Sequence, residues 1–160
     1  MTNHTKYETR SEEETMAFAS RLSPMLSAGD AVLLEGDLGA GKSVLARGIA
    51  RGMGVEGPMP SPTFTLLMPY TGTQNKKVYH FDLYRISDPE EYYAAGLDEF
   101  VGGDGVALVE WPQRADLQPT PALEIELSRG EDDQMRQIEI ENFGVKGFDS
   151  DALSEWRAKA

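Results

Sequence analysis

Short runs of consecutive apolar residues alternate along the chain with segments of helical periodicity. Residues 31–36 (AVLLEG) and 106–111 (VALVEW) are almost uniformly apolar, which is typical of strands buried on both faces. Residues 78–85 (VYHFDLYR) are rich in strand-forming side chains, and residues 63–68 become strand-like after a proline-rich stretch. Continuous apolar strands mixed with helices predict an α/β fold with a mostly parallel central sheet.

Three segments have the apolar spacing or the start signals of helices. Ser11 is placed to cap the first, with an acid three residues later as in a capping box, and Pro24 kinks or ends it. The second helix is predicted over residues 43–53. The third begins after Asp88 as its N-cap, with Pro89 at its first position.

The C-terminal third has a different pattern. Residues 122–127 (ALEIEL) and 136–141 (RQIEIE) alternate between apolar and polar positions with a period of two. The polar loop between them predicts an antiparallel hairpin with one solvated face, added at one edge of the sheet. From Gly147 onward we expect a short, weakly held helix. The predicted organisation is one domain over residues 1–146 and a weakly held tail over residues 147–160.

Residues 36–43 read GDLGAGKS and lie between the first apolar strand and the second helix. They satisfy G-x-x-x-x-G-K-[ST] at every fixed position, in the strand-loop-helix context that the motif requires. Glycines let the backbone wrap so that N–H groups converge on phosphate oxygens, and the helix N-terminus adds further donors. The motif predicts a phosphate-binding loop in a P-loop NTPase-like three-layer sandwich, with Lys42 on the phosphates and the Ser43 hydroxyl on Mg²⁺.

A magnesium ion prefers hard oxygen ligands, so an acidic residue is expected at the end of a neighbouring strand. Asp82 and Glu110 each end an apolar segment, and ligands of open α/β sheets bind at the carboxyl ends of the strands. The sequence leaves open which of the two contacts the metal. Thr63, in a proline-fixed turn, either orients water or Mg²⁺ or caps the turn. His80 is expected to be packed or hydrogen-bonded rather than catalytic.

Composition narrows the possible partners. The chain has a net charge of −12, and its longest basic run is residues 76–77, so we expect no direct, tight binding to RNA or DNA. It has no cysteine, which excludes disulfides and thiolate metal sites and fits a cytoplasmic protein. No apolar stretch approaches the roughly 18 residues that cross a bilayer, so no membrane span is expected.

Three other classes of nucleotide-binding protein fit the pattern less well. A GTPase would need N-K-x-D, and the nearest match, residues 75–78 (NKKV), lacks the aspartate. A small-molecule kinase would need a lid with clustered arginines, whereas Arg114, Arg129 and Arg136 are scattered along the sequence. A module that binds nucleotide without hydrolysing it would not need the two acids at strand ends.

Four motifs in this order, GDLGAGKS, SPTF, HFDLYR and EW, resemble the TsaE family, the bacterial P-loop ATPases of tRNA threonylcarbamoyladenosine biosynthesis. The opening SEEET segment with Thr15 is also similar, and the resemblance covers roughly residues 10–141. One departure is Ser43, where family members usually have threonine. Either hydroxyl can bind Mg²⁺, so only the fine geometry is affected.

The resemblance implies what the protein does. It implies an ATPase that uses ATP and Mg²⁺ and works with the TsaD and TsaB proteins, which hold the tRNA and modify its adenosine 37. Hydrolysis of ATP would reset this assembly between turnovers, and tRNA would be contacted only through the partners. Because no arginine finger is evident within the chain, we expect weak activity alone and stimulation by a partner.

The resemblance and the motifs together define the expected site. The expected catalytic residues are Lys42, Asp82, Glu110 and Thr63. The expected metal ligands are Ser43, Glu110 and Asp82. The residues expected to bind the nucleotide are Gly36, Asp37, Leu38, Gly39, Ala40, Gly41, Lys42, Ser43, Val44, Thr15 and Trp111, where the tryptophan either stacks near the nucleotide or fills a core edge.

Overall fold

The structure, a computed structural model, describes residues 4–158, which form one seven-stranded sheet with helices on both faces. The strands are β1 (His4–Thr9), β2 (Ala31–Glu35), β3 (Leu67–Thr71), β4 (Lys77–Asp82), β5 (Gly105–Glu110), β6 (Ala122–Arg129) and β7 (Arg136–Phe143). The α-helices are α1 (Glu12–Leu22), α2 (Lys42–Gly52) and α3 (Pro89–Ala94). Short 3₁₀ helices lie at Ser23–Met25, Thr73–Asn75, Leu97–Phe100, Pro112–Arg114 and Ser150–Trp156.

The strand order is β1-β7-β6-β2-β5-β4-β3. Its centre is parallel, because β2 pairs in parallel with both β5 and β6, and β5 pairs in parallel with β4. Antiparallel pairs close both sides of the sheet: β7 pairs with β6 and β1 pairs with β7 on one side, and β3 pairs with β4 on the other. The predicted α/β class, the parallel centre and the C-terminal hairpin are therefore confirmed, but the hairpin does not form the edge of the sheet, because β1 pairs with the outer side of β7.

The continuous apolar runs of the central strands serve two cores, one on each face of the sheet. Val32 and Leu34 pack into the larger core, which lies under α1, α2 and the C-terminal 3₁₀ helix. The intervening Ala31 and Leu33 belong to the smaller core with Tyr92 of α3. Because successive side chains of a strand point to opposite faces, a strand covered on both sides is apolar at every position. Among residues 4–158, the helices are too short or too polar to cross a membrane.

The predicted start of α1 is confirmed. The Ser11 side chain caps the helix by accepting a hydrogen bond from the Glu14 N–H at 3.1 Å. The Glu14 carboxylate reaches back one residue further than in a capping box, to the Arg10 N–H at 3.1 Å. The helix ends at Leu22, and a 3₁₀ turn that contains Pro24 follows it.

Two strand boundaries differ from the prediction. The strand predicted over residues 63–68 begins only at Leu67, because residues 63–65 form a turn and Leu66 has a left-handed backbone with φ of 68°. The strand predicted to reach Arg85 ends at Asp82, whose carboxylate accepts the Tyr84 N–H at 3.0 Å and so stabilises a turn. At the N-terminus, β1 was not predicted, because Tyr7 is its one large apolar side chain.

The C-terminal segment packs against α1 and the larger core. Its helix is of the 3₁₀ type, and Leu153 and Trp156 are buried in the larger core. The Trp156 ring lies 5.5 Å from the Phe18 ring in an edge-to-face arrangement. Arg21 forms an ion pair of 2.8 Å with Glu155 at the surface. These contacts attach the segment to α1, and how strongly the segment is held stays a prediction.

Candidate functional site

The glycine-rich loop joins β2 to α2 and wraps around the N-terminus of that helix. Gly36, Gly39 and Gly41 all have positive φ, at 146°, 81° and 104°. A β-carbon on Gly36 would lie 2.5 Å from the carbonyl oxygen of Leu127, so this position also requires glycine for the close approach of β6. The loop therefore has the compact, left-handed turns that a phosphate-binding loop requires.

Lys42 is the first residue of α2 and is almost fully buried, with 5% of its side chain exposed. Its ammonium donates a hydrogen bond to the Gly36 carbonyl oxygen and lies 3.7 Å from the centre of the Trp111 ring. Burial lowers the pKa of Lys42, and the nearby Glu110, Asp82 and Asp37 carboxylates oppose that shift. These contacts hold the Lys42 ammonium against the loop, on the side where Glu110 and Asp82 lie.

Glu110 ends β5 and is 3% exposed. The Ser43 hydroxyl, from the first turn of α2, lies 3.0 and 3.1 Å from the two carboxylate oxygens of Glu110. On the other side, Nε2 of the buried His80 lies 2.6 Å from Glu110 Oε2. Since a carboxylate accepts, the imidazole N–H donates. Glu110 is thus held between a hydroxyl and a histidine.

Asp82 is the register partner of Glu110 on the neighbouring parallel strand, so the two acids lie side by side at the carboxyl edge of the sheet. The Thr63 hydroxyl donates to Asp82 Oδ2 at 3.1 Å and is 2.7 Å from the Ser61 hydroxyl. The other carboxylate oxygen accepts the Tyr84 N–H. The SPTF segment is therefore attached to the second acid through its threonine.

These side chains surround an open cleft of about 430 Å³. Its walls come from the glycine-rich loop, the SPTF segment, the ends of β4 and β5, and the start of β7. The lining residues are Leu38, Gly39, Gly41, Lys42, Ser43, Val44, Ser61, Thr63, Asp82, Tyr84, Glu110, Trp111 and Arg136. A hydroxyl and two carboxylates converge here as hard oxygen ligands, which is the donor set that suits Mg²⁺.

Trp111 is in an uncommon backbone conformation for a bulky residue. Its φ of 59° and ψ of 50° place it in the left-handed region, directly before Pro112. Such strain costs of order 1–3 kcal/mol and clusters at functional sites. The conformation directs the indole toward Lys42, and the ring also packs 4.9 Å from the Tyr84 ring. Trp111 lines the cleft and also packs against the smaller core, and its stacking near the nucleotide stays a prediction.

A sequence model of one family matches residues 9–138, and its description is threonylcarbamoyl adenosine biosynthesis protein TsaE. The chain belongs to the TsaE family. It is 41% identical over 130 residues to the tRNA threonylcarbamoyladenosine biosynthesis protein TsaE of Bacillus subtilis, which covers 81% of this chain and 80% of that protein. The corresponding Nostoc protein is 38% identical over 136 residues, with 82% of each chain covered.

The fold of this TsaE-family chain is also similar to that of a solved structure. The crystal structure of Bacillus subtilis YdiB superposes with a TM-score of 0.74 at 33% sequence identity. The match covers 97% of this chain and 95% of YdiB. The resemblance read from the four motifs and the predicted fold class are therefore both confirmed.

Most residues predicted for the TsaE-like site converge at the cleft, and Thr15 is the main exception. Its hydroxyl is buried, lies 2.7 Å from the Thr9 hydroxyl and donates to the Ser11 carbonyl at 3.2 Å. Thr15 instead borders a smaller cavity of about 100 Å³ that adjoins the cleft at Gly41 and Val44. Its role in nucleotide binding stays a prediction.

The remaining loop residues divide by exposure. Asp37 and Leu38 are exposed at the tip of the loop, and Ala40 is buried beneath it with its N–H bonded to the Asp37 carbonyl at 3.0 Å. The prediction that His80 is packed or hydrogen-bonded is confirmed, and its partner is Glu110. Arg136 was not predicted at the site, because neither strand pairing nor hairpin register is visible in the local pattern.

Proposed function

We propose that this chain is a Mg²⁺-dependent ATPase that acts in tRNA threonylcarbamoyladenosine biosynthesis, the process after which its relatives are named. The observation that carries the proposal is the contact of the Ser43 hydroxyl with both oxygens of Glu110, next to Lys42. A hydroxyl, a carboxylate and a buried cation at a glycine-rich loop are the parts that phosphoryl transfer to water needs.

Ser43 and Glu110 would hold the metal, since their oxygens meet at the loop. Bound Mg²⁺ would neutralise charge on the phosphates as it develops. Asp82 forms its hydrogen bonds with Thr63 and the Tyr84 N–H and none with Ser43, so we assign it to orienting the attacking water rather than to holding the metal. In this arrangement the two acids have different tasks, which the sequence left open.

The other residues bind and orient the nucleotide. The free N–H groups of the loop and of the first turn of α2 would donate to the phosphates, and hydrogen bonds to charged groups contribute about 1.5–3 kcal/mol each. Lys42 adds a point charge on the β- and γ-phosphates. Thr63 and Asp82 orient the attacking water, and Trp111 covers the lysine side of the cleft.

We further propose that TsaD and TsaB are the partners and that they stimulate hydrolysis. Two large apolar side chains support a covering surface: Leu38, which lines the cleft, is 66% exposed, and Phe64, which follows the cleft-lining Thr63, is 82% exposed. Burial of these side chains against a partner would be favourable. A partner that covers them would exclude water from the cleft and strengthen its electrostatic interactions.

The proposal is tested by measuring phosphate release from ATP with the purified chain, in Mg²⁺ or in EDTA, with and without TsaD and TsaB. We expect slow turnover that requires Mg²⁺ and rises sharply with both partners. Fast turnover by the chain alone would refute the need for partners. Tight ATP binding without stimulation would favour a nucleotide-gated binding module, and transfer of phosphate to a small molecule would favour a kinase.

Glu110→Ala is the matched variant for this assay. It removes the carboxylate that contacts Ser43 but leaves the loop amides and Lys42 in place. We expect hydrolysis to fall much more than ATP affinity, because most binding comes from the loop. Equal loss of both would mean that Glu110 is structural.

A further inference from the structure

Two arginines of the β6–β7 hairpin lie against the glycine-rich loop. Arg129 and Arg136 are register partners across the hairpin, at the end that faces the loop. A β-carbon on Gly39 would lie 2.8 Å from Arg129 Nη2, and one on Gly41 would lie 3.4 Å from Arg136 Nε. The two glycines therefore also leave room for guanidinium groups that come from about 90 residues further along the chain.

Arg136 is held in place with donors to spare. Its Nη1 donates to the carbonyl oxygens of Asp133 and Met135 at 2.6 and 2.8 Å. A guanidinium has five N–H donors, and within residues 4–158 those on Nε and Nη2 have no acceptor. The side chain is half-buried rather than extended into solvent. The Nη1 end of the guanidinium is thus fixed by the hairpin, and the N–H groups on Nε and Nη2 are available to a ligand.

Arg136 lies where two cavities meet. It lines the cleft that contains Lys42 and Glu110, and it also lines the smaller cavity beside Thr15. Gly41 and Val44, at the start of α2, are shared by both cavities. A nucleotide whose reacting phosphate lies beside Glu110 and Asp82 would pass Arg136 with the phosphates further from the reacting end, where the cleft meets the smaller cavity.

Arg136 adds positive charge to a cleft that is lined by two carboxylates and one lysine. The whole chain has a net charge of −12, and Asp82 and Glu110 line the cleft itself. Among the described residues that line it, the cations are Lys42 and Arg136. A polyphosphate needs more positive charge than one lysine supplies, and the planar guanidinium fork matches phosphate oxygens better than an ammonium does.

We propose that Arg136 binds the phosphate groups that ATP and ADP have in common, at the boundary between the glycine-rich loop and the smaller cavity. The inference rests on the proposed function in so far as the ligand is an adenine nucleotide. Because these phosphates do not react, the contact is equally strong in the ground state and the transition state. Arg136 is thus a binding residue, and its loss raises KM while kcat stays unchanged.

The test is calorimetric titration of the full chain with ATP, ADP and adenosine. Arg136→Ala should weaken ATP and ADP by a similar factor, about 10- to 100-fold, and leave adenosine unchanged. Arg136→Lys should recover part of the loss, because it restores the charge without the fork. Lys6→Ala removes the same charge from a side chain that is 63% exposed on β1, and its affinities should match those of the native chain.

Arg136→Gln separates binding from folding, because its amide can still reach the hairpin carbonyls while the charge is lost. It should melt like the native chain without nucleotide and bind ATP as weakly as Arg136→Ala. Unchanged ATP and ADP affinity in both variants would overturn the inference. So would an equal loss of adenosine affinity, or a fall in kcat alone. A native chain that binds ATP but does not hydrolyse it would refute only the proposed ATPase, whereas one that binds neither nucleotide would refute both.

Discussion

Replacing His80 by alanine tests whether the buried pair with Glu110 is essential to the architecture of the site. Nε2 of His80 and Oε2 of Glu110 are 2.6 Å apart, and each side chain is 4% exposed. Ser43 is the other hydrogen-bond donor to this carboxylate. His80→Ala therefore leaves a buried carboxylate with one donor group where it had two.

The expected loss of stability follows from this geometry. His80→Ala removes a hydrogen bond to a charged group, which contributes about 1.5–3 kcal/mol, and it leaves a cavity where the buried imidazole lay. Because both effects destabilise the fold, we place the cost of His80→Ala at the upper end of that range, about 3 kcal/mol. In a domain of this size that corresponds to a fall in Tm of about 6–12 °C.

The origin of the loss is tested by a double-mutant cycle in urea unfolding. Glu110→Gln removes the charge, so His80→Ala should cost at least about 1.5 kcal/mol less in that background than in the native chain. His80→Gln, which keeps an N–H donor, should be milder than His80→Ala. Effects that add within about 0.5 kcal/mol would refute the reasoning, because they would mean that the two side chains do not interact.

Three further predictions concern the loop, the sheet and the C-terminus. Lys42→Ala should remove measurable ATP binding in a titration without lowering Tm, and retained affinity would mean that the amides suffice. Burial first, and then Glu124 and Glu126, raise the pKa of Glu35, so the folded state holds this proton more tightly than the unfolded state. Stability should therefore fall as pH rises from 4.5 through the raised pKa, and Glu35→Gln should flatten that slope and raise Tm at pH 7 by up to about 4 °C. Trp156→Ala should lower the free energy of unfolding by about 3–5 kcal/mol in a urea titration, whereas a loosely attached segment would lose less than 1 kcal/mol.

Much of the fold was predictable because its signals are local. The central strands are apolar at every position, since Val32 and Leu34 face one core while Ala31 and Leu33 face the other. Glycines at three loop positions carry the positive φ that the motif implied. Asp82 and Glu110 were both placed correctly at strand ends, because the carboxyl end of a strand can be read where an apolar run stops.

The sequence was less informative where packing overrides local preference. Strand β1 is polar at most positions, and its pairing with β7 decides that it forms a strand. The C-terminal segment has few apolar residues, yet Leu153 and Trp156 are buried in the larger core. Its attachment depends on a hydrophobic site that α1 provides, and the segment itself gives no sign of that site.

The amino-acid sequence by itself determined the loop, the order of the motifs and hence the family, because each of these depends on neighbouring residues along the chain. The tertiary structure alone decided that Ser43 and His80 both reach Glu110, that Thr63 bonds Asp82, and that Arg136 lies on the loop. Those contacts join residues 19 to 95 positions apart. They depend on strand order and register, which arise from the packing of the whole sheet and have no local signature.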